Sequence, residues 1–277
     1  MPVNPAFQRL QLLVGTPVLD LLRESRAIVF GVGGVGGWCA EALVRSGIGH
    51  LTIVDNDDVC VTNVNRQLQA TTGNVGKSKV GELRDRLASI HPRVRLEAID
   101  EVYEKSNRDR FDLHSYDYVI DAIDSYTHKL DLIEHAWEIG ARFYSSMGAA
   151  SRLDITKIRT ASVWDATMDP FAKILRKGLR RRGFQGDFQV VYSVEEPIAP
   201  VERTSVACGT HQCFCHHDDP DHTDWCSSKV VINGSAVHIT ASFGMALSGL
   251  VLQDARSRAS RQNPSSDAAL SRDPAAT

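Results

Sequence analysis

The chain has 277 residues, of which 43% are hydrophobic and 23% are charged, a composition that suits a globular domain able to bury a full core. Its formal net charge is −3, so the overall charge gives no support to nucleic-acid binding. The start of the chain lacks the basic region, apolar core and small-residue cleavage site of a secretory signal peptide. We therefore expect a cytoplasmic protein whose six cysteines are thiols or metal ligands.

Short apolar runs alternate with helical stretches from residue 26 to residue 146, after a helical segment over residues 1–25. This alternation is typical of a parallel sheet covered by helices on both faces. We therefore expect an α/β fold with a doubly wound, mostly parallel, Rossmann-like sheet. The predicted elements are, in chain order, strand 27–30, helix 37–46, strand 51–54, helix 77–90, strand 94–99, strand 118–120, helix 127–139 and strand 143–145.

The pattern changes over residues 147–254, which we predict to form a smaller C-terminal extension carrying substrate and dimer surfaces. Residues 155–163 alternate as a strand does, and Asp169 to Arg182 is predicted to be a helix with proline near its start. A Cys/His-rich loop occupies 207–228. An apolar helix is predicted at 245–252.

The apolar stretch 235–252 is almost long enough for a membrane span. Its serines, threonines, glycines and His238 favour burial against protein, so we do not expect membrane association. Residues 255–277 are polar and aperiodic, and we predict them to be disordered.

Glycines at G-x-G-x-x-G spacing follow the first predicted strand and precede a helix. Gly31, Gly33 and Gly36 would let backbone N–H groups approach a phosphate, and a helix N-terminus adds roughly half a positive charge. Asp55 ends the second predicted strand, where a ribose hydroxyl would be met. The pattern predicts a nucleotide-binding half, but it does not separate a dinucleotide from a triphosphate.

Polar residues after Asp55 favour the triphosphate. Arg66 and Lys79 offer cations that neutralise the charge of departing pyrophosphate. Asp124 follows an apolar strand whose carboxyl end would place it against phosphate-bound Mg²⁺. Taken singly, each has an ordinary alternative: a surface charge for the two cations and a helix cap for Asp124.

These motifs together resemble the superfamily of ThiF, MoeB and the ubiquitin-activating enzymes: G-x-G-G-x-G, D-x-D-x-V, N-x-x-R-Q, G-x-x-K-V and D-A-x-D-S in that order. The resemblance implies that Asp55 binds the ATP ribose and that Asp124 binds Mg²⁺. It implies catalytic roles for Arg66, Lys79 and Asp124. It also implies that Arg9 reaches the ATP of a partner subunit, so that the active unit is a homodimer. The ATP-binding residues implied in this way are Gly31, Gly33, Gly34, Gly36, Asp55, Asp57, Asn63, Arg66, Gln67, Lys79, Asp124 and, in trans, Arg9.

The second half lacks the C-x-x-C pairs common in ThiF and MoeB. Its stretches "SSMGAASRLDITKIRT", "MDPFAKILRKGLRRRGF" and "HITASFGMALSGLVLQ" resemble the family of tRNA threonylcarbamoyladenosine dehydratases. That resemblance implies adenylation of the threonylcarbamoyl carboxylate, ring closure with loss of AMP, and tRNA as a partner. The cations of the predicted helix 169–182 then become candidate tRNA contacts, although a solvated helix face explains them nearly as well. They are Lys173, Arg176, Lys177, Arg180, Arg181 and Arg182.

The Cys/His-rich loop permits more than one interpretation. Its thiols and imidazoles offer a tetrahedral structural zinc site, but their spacing is unusual, and a reduced or redox-active loop is the alternative. The candidate zinc ligands are Cys208, Cys213, Cys215 and Cys226.

Two other functions stay open at this level. One is a ThiF- or MoeB-like adenylyltransferase that activates the C-terminus of a ubiquitin-like sulfur carrier. The other is a non-catalytic nucleotide-binding adaptor for a sulfur-transfer partner, such as a cysteine desulfurase system.

Overall fold

A computed structural model describes residues 4–201 and 233–262 of the chain. Seven strands form one sheet in the order β3-β2-β1-β4-β5-β7-β6. All neighbouring strands are parallel except β6 and β7, which are antiparallel. The strands are β1 Arg26–Phe30, β2 His50–Val54, β3 Arg95–Ile99, β4 Tyr118–Asp121, β5 Phe143–Ser146, β6 Ile158–Ser162 and β7 Gln189–Ser193.

The helices cover both faces of this sheet. They are α1 Gln8–Val14, α2 Thr16–Glu24, α3 Gly36–Arg45, α4 Lys79–Ile90, α5 Tyr126–Glu138, α6 Pro170–Arg181 and α7 Val237–Gln262. One apolar cluster lies under α3, α4 and α7, and a second lies under α5 and α6. This confirms the predicted α/β fold with a doubly wound, mostly parallel sheet.

The strands after residue 146 join the same sheet, because β7 pairs with β5 and β6 pairs with β7. The predicted extension is thus continuous with the ATP-binding half through the sheet. Residues 189–193, which form β7, were not predicted as a strand. The predicted strand 155–163 is shorter in the structure, since residues 155–157 form a 3₁₀ turn before β6.

α7 is longer than predicted, and the predicted start of the disordered tail was therefore wrong. It continues through Gln262, whereas disorder was predicted from residue 255. Its polar last turns are anchored because Arg258 donates to the Tyr118 hydroxyl at 3.1 Å and to Asp117 Oδ1 at 3.4 Å. Residues 263–277 lie outside the described part of the chain. Within residues 4–201 and 233–262, no helix has both the length and the apolarity that crossing a bilayer requires.

Candidate active site

The strand order reverses between β1 and β4, and the loops leaving these two strands meet there. Gly31 has a φ of +80°, and a Cβ on it would lie 2.8 Å from the Ala122 carbonyl oxygen. A Cβ on Gly36 would collide with the Gly31 carbonyl oxygen. Only glycine permits this close approach, which brings the N-terminus of α3 to the carboxyl end of the sheet. In open α/β sheets, ligands bind at such a reversal point.

Asp55 follows β2 and holds the glycine loop from one side. Its Oδ2 accepts the Val32 N–H at 2.7 Å, and its Oδ1 accepts the Asp57 N–H at 3.0 Å. Burial raises the pKa of Asp55 above the ordinary aspartate range, against the opposing charge of Lys79. A carboxylate has about four lone-pair sites, so ribose hydroxyls can still be accepted beside these two bonds.

Lys79, the first residue of α4, brings a cation to the same place. Its Nζ lies 2.6 Å from Asp57 Oδ2 and 3.9 Å from Asp55 Oδ1, and its side chain is 6% exposed. Burial lowers the pKa of Lys79, but the charges of Asp55, Asp57 and Asp124 outweigh it and raise that pKa overall. The ammonium therefore stays charged beside the glycine loop.

The segment after the 3₁₀ turn Val61–Asn63 lies against the glycine loop. Asn63 accepts the Cys60 N–H at 3.0 Å, which fixes the turn. Arg66 donates to the Thr62 carbonyl oxygen at 2.8 Å, and a Cβ on Gly34 would lie 3.3 Å from its Cγ. The stem of the Arg66 side chain thus lies against the glycine loop at Gly34, and its guanidinium also donates to the Asn65 side chain at 3.0 Å.

Gln67 lies next to Gly33 and is 7% exposed. A Cβ on Gly33 would lie 3.7 Å from Gln67 Nε2. Its Oε1 has no hydrogen-bond partner in the described part of the chain. A buried amide oxygen without a partner is costly, and a ligand can supply the missing bond.

Asp124 is exposed and lies in the turn after β4, on the opposite side of the reversal point from Asp55. Its charge acts on Lys79. In the described ranges, no three His, Cys, Asp or Glu side chains converge as a metal cage. Mg²⁺ is usually held by one or two carboxylates, substrate phosphates and water rather than by such a cage. An exposed carboxylate such as Asp124 beside the glycine loop therefore fits Mg²⁺ carried by a nucleoside triphosphate.

Arg9 lies apart from these groups. It is exposed on α1, and the neighbouring Phe7 packs against Gly47 and His91 at the opposite end of the sheet. Within one chain, Arg9 therefore does not join the site.

The predicted tRNA contacts lie on α6 and at its C-cap, Arg182. All are exposed except Arg176, which is half-buried. Three of them contact protein groups: Arg176 donates to the carbonyl oxygens of Val163 and Ala166, Arg180 lies 5.2 Å from the centre of the Trp164 ring, and Arg182 pairs with Asp131 and Glu134 at 2.6 and 2.8 Å. The candidate zinc ligands Cys208, Cys213, Cys215 and Cys226 lie outside the described residues.

Two parts of the site were not predicted. Thr240, in the first turn of α7, lies beside Gly34: a Cβ on Gly34 would lie 3.3 Å from the Thr240 Cβ. Lys129 is fully buried under the Asp124 turn, where its ammonium pairs with Asp121 at 2.6 Å. A lysine in an amphipathic helix gives no sign of burial in the sequence, because its carboxylate partner is set by the fold.

Comparisons with known proteins agree with this geometry. A model of the ThiF family matches residues 7–254. The tRNA threonylcarbamoyladenosine dehydratase of Escherichia coli (strain K12) is 34% identical over 257 residues, covering 90% of this chain and 93% of that protein. The enzyme of the same name from Bacillus subtilis (strain 168) is 41% identical over 192 residues, covering 69% of this chain and 76% of that protein.

Solved structures show the same similarity. The E. coli dehydratase TcdA in complex with ATP has a TM-score of 0.79 and 30% identity, and the match covers 95% of this chain and 100% of that one.

A relative with a different name matches by sequence over a shorter stretch. The molybdopterin-synthase adenylyltransferase of E. coli is 28% identical over 135 residues, which is 49% of this chain and 53% of that protein. These findings confirm the predicted superfamily, and this chain belongs to the ThiF family.

Proposed function

We propose that this chain catalyses the ATP-dependent dehydration of threonylcarbamoyladenosine in tRNA. The observation that carries the proposal is that the structural match to a tRNA threonylcarbamoyladenosine dehydratase in complex with ATP covers 95% of this chain, and not its nucleotide-binding half alone. The adenylyltransferase relative, in contrast, matches about half of each chain. The enzyme would act in the cytoplasm, where its tRNA substrate is found.

The residues at the reversal point suit adenylate formation. The glycine loop and the N-terminus of α3 would hold phosphate oxygens through backbone N–H groups, and Asp55 would accept the ribose hydroxyls. Lys79 and Arg66 would neutralise the charge that grows on pyrophosphate as it leaves. Asn63 would lie close to the phosphates, and Gln67 would line the nucleotide site. Asp57 would hold the ammonium of Lys79 in place. Asp124 would hold Mg²⁺, which supplies charge neutralisation on the phosphate oxygens.

The reaction requires no side-chain nucleophile. A carboxylate oxygen of the threonylcarbamoyl group attacks the α-phosphorus of ATP, and the bond to the β-phosphate oxygen breaks. A nucleophilic atom of the same carbamoyl group then attacks the acyl carbon and gives up its proton to water, and AMP leaves with that carboxylate oxygen. The tRNA loses one water in total. Positioning and electrostatic stabilisation account for such a step, and these are what the site offers.

The exposed cations of α6 support contact with the tRNA backbone. α6 begins beside the site, because its N-cap Asp169 lies against Gly148 just after β5. Lys173, Lys177 and Arg181 follow at four-residue intervals, roughly 6 Å apart along the helix axis. This basic strip therefore extends away from the carboxyl end of the sheet. Phosphate contacts of this kind orient an RNA without reading its sequence.

A homodimer with Arg9 acting in trans is part of the proposal. Leu12 and Leu13, on the same helix as Arg9, are 83% and 78% exposed, and such neighbouring apolar side chains are typical of a protein interface. Mixing the Arg9→Ala and Lys79→Met chains tests this arrangement. If Arg9 acts in trans, the mixture regains activity in heterodimers, since one of their two sites is intact. Activity that stays as low as in either variant alone would refute it.

The main experiment incubates the protein with ATP and tRNA carrying threonylcarbamoyladenosine. We expect pyrophosphate release and a modified nucleoside lighter by one water, with both lost in Arg66→Ala. Adenylation of a ubiquitin-like carrier in place of the tRNA would favour the adenylyltransferase. Absence of pyrophosphate release from wild type and variant would favour the adaptor for a sulfur-transfer partner. Metal analysis of the same preparation tests for structural zinc in the Cys/His-rich loop.

A further inference from the structure

Lys129 is a lysine of α5 whose side chain is fully buried beneath the site. Its Nζ lies 2.6 Å from Asp121 Oδ2, 3.1 Å from the Ser146 carbonyl oxygen and 3.3 Å from Ser145 Oγ. These three acceptors match the three protons of an ammonium. The bonds join α5 to the carboxyl ends of β4 and β5.

The carboxylate of Asp121 transmits this anchoring to the turn that carries Asp124. Its Oδ2 also accepts the Ser145 hydroxyl at 2.6 Å, and its Oδ1 accepts the Ile123 N–H at 3.0 Å. Ile123 immediately precedes Asp124. On the other side of this turn lies Gly31, where a Cβ would be 3.2 Å from the Ile123 nitrogen. The turn is thus held between the glycine loop and a buried charged group.

A buried ion pair is a poor device for stability alone. Removing two charges from water costs several kcal/mol, and apolar residues of similar volume are often as stable or more so. A fully buried lysine with three acceptors does provide a fixed geometry, because each of its bonds has a defined direction. Through Asp121 Oδ1, this geometry fixes the position of the Ile123 N–H, one residue before the proposed Mg²⁺ ligand.

We propose that Lys129 is a positioning residue for nucleotide binding: through Asp121 it fixes the turn Ala122–Asp124, so that Asp124 meets the Mg²⁺ carried by ATP. The inference rests on the proposed function and adds a role for three residues, Lys129, Asp121 and Ser145, that do not themselves contact the nucleotide. Partners that orient a metal ligand typically change metal affinity by about 10–100-fold when they are removed.

The test compares the affinities for Mg-ATP and for AMP, measured by calorimetry. In Asp121→Asn/Lys129→Met both charges are removed together, so no unpaired charge is left buried and we expect the variant to fold. We expect its Kd for Mg-ATP to rise about tenfold, while its Kd for AMP, which needs no Mg²⁺, stays within about twofold of the wild-type value. A thermal melt of each protein reports its stability.

Glu41→Gln is the matched control. Glu41 is a buried carboxylate that pairs with Arg45 and Arg86 between α3 and α4, away from the Asp124 turn. We expect it to lower the melting temperature and to leave both nucleotide affinities at wild-type values. A double variant that binds Mg-ATP as tightly as wild type, or that loses Mg-ATP and AMP equally, would overturn the proposal.

Ser145→Ala decides the question if the double variant does not fold. It deletes one hydroxyl bond to Asp121, and we expect a smaller loss of Mg-ATP affinity with AMP unaffected. Equal affinities in Ser145→Ala and wild type would overturn the proposal. Failure of the wild-type protein to act on modified tRNA would instead refute the proposed function, so the two failures are distinguishable.

Discussion

Lys79 Nζ lies 2.6 Å from Asp57 Oδ2, and the backbone N–H of Lys79 donates to the Asp57 carbonyl oxygen at 3.1 Å. The same two residues are thus joined through both main chain and side chain. The cation proposed to meet the triphosphate is held in place by a carboxylate before any nucleotide arrives. The Lys79 side chain is 6% exposed, whereas that of Asp57 is 48% exposed, so the pair lies at the border between the buried part of the site and solvent.

Lys79→Met is expected to remove triphosphate binding selectively. The loss of the ammonium should lower the affinity for Mg-ATP by about tenfold or more, which is at least roughly 1.4 kcal/mol of binding free energy, because a charge-assisted bond to phosphate is lost. AMP should be much less affected, since it lacks the β- and γ-phosphates. Calorimetric titration with both nucleotides measures this. Lys77→Met is the control, because Lys77 is 62% exposed and pairs with Glu82 at 3.5 Å. Equal weakening in the two variants would contradict the role given to Lys79.

Gly36→Ala is expected to disrupt the glycine loop. The new Cβ would collide with the Gly31 carbonyl oxygen, so the backbone must move. We expect the free energy of unfolding to fall by roughly 3 kcal/mol or more. Gly81→Ala in α4 is the matched change, because its Cβ would make ordinary contacts of 3.7 Å with Ser78. We expect it to stabilise the protein by roughly 0.5–1 kcal/mol. Urea unfolding of both variants measures the difference, and similar values for the two would show that the close approach is not required.

Replacing Lys173, Lys177 and Arg181 together by alanine is expected to weaken tRNA binding without affecting ATP. Each lost phosphate contact reduces the slope of log K against log salt by roughly 0.7–0.9, so the slope of the triple variant should fall by about 2–3 units. Binding titrations at several salt concentrations give this slope. Arg84→Ala removes a half-exposed cation of α4 and should leave the slope unchanged. An unchanged slope in the triple variant would exclude the basic strip of α6 as an RNA contact.

Glu41→Gln is expected to lower stability in a pH-dependent way. Burial alone would raise the pKa of Glu41, but hydrogen bonds from Arg86 and Arg45 outweigh it and lower that pKa. A lowered pKa in the folded state means that the carboxylate contributes stability above the pKa of the unfolded chain and loses it as pH falls through the folded value.

The expected loss in Glu41→Gln is about 1 kcal/mol at neutral pH, because both arginines are half exposed and screened by water. The difference from wild type should disappear at acid pH, below the folded pKa of Glu41. Urea unfolding along a pH series measures it. A difference that keeps its full size at acid pH would show that packing, and not charge, causes the loss.

β1, β2, β4 and β5 were predictable because each is a short run with buried residues on both faces, whereas β3, at the edge of the sheet, has only exposed and half-buried residues. Residues 51–54 and 118–120, for example, were predicted as strands and lie within β2 and β4. β7 was missed although "QVVYS" has the β-branched and aromatic residues of a strand. The end of α7 was missed because Arg256 and Arg258 have the composition of a solvated tail, and the partners of Arg258 lie some 140 positions earlier in the chain.

The site was predictable where motifs place residues at the ends of strands. Asp55 and Asp124 were predicted on that ground and Lys79 from the polar cluster that follows Asp55, and the structure brings the three to one edge of the sheet. The pairing of Arg182 with Asp131 and Glu134 was not predictable, because these partners lie on another helix. The buried position of Lys129 could not be predicted for the same reason.

α7 crosses the molecule from Thr240, beside the glycine loop, to Arg258, at the start of β4. Its 26 residues correspond to a rod of about 39 Å that is fixed at both ends. The family match ends at residue 254, before Arg258 and its bonds to Tyr118 and Asp117. A chain shortened to that limit would lose Arg258 and leave Asp117 without its guanidinium partner, so the last two turns of α7 must be kept in any shortened version intended for crystals.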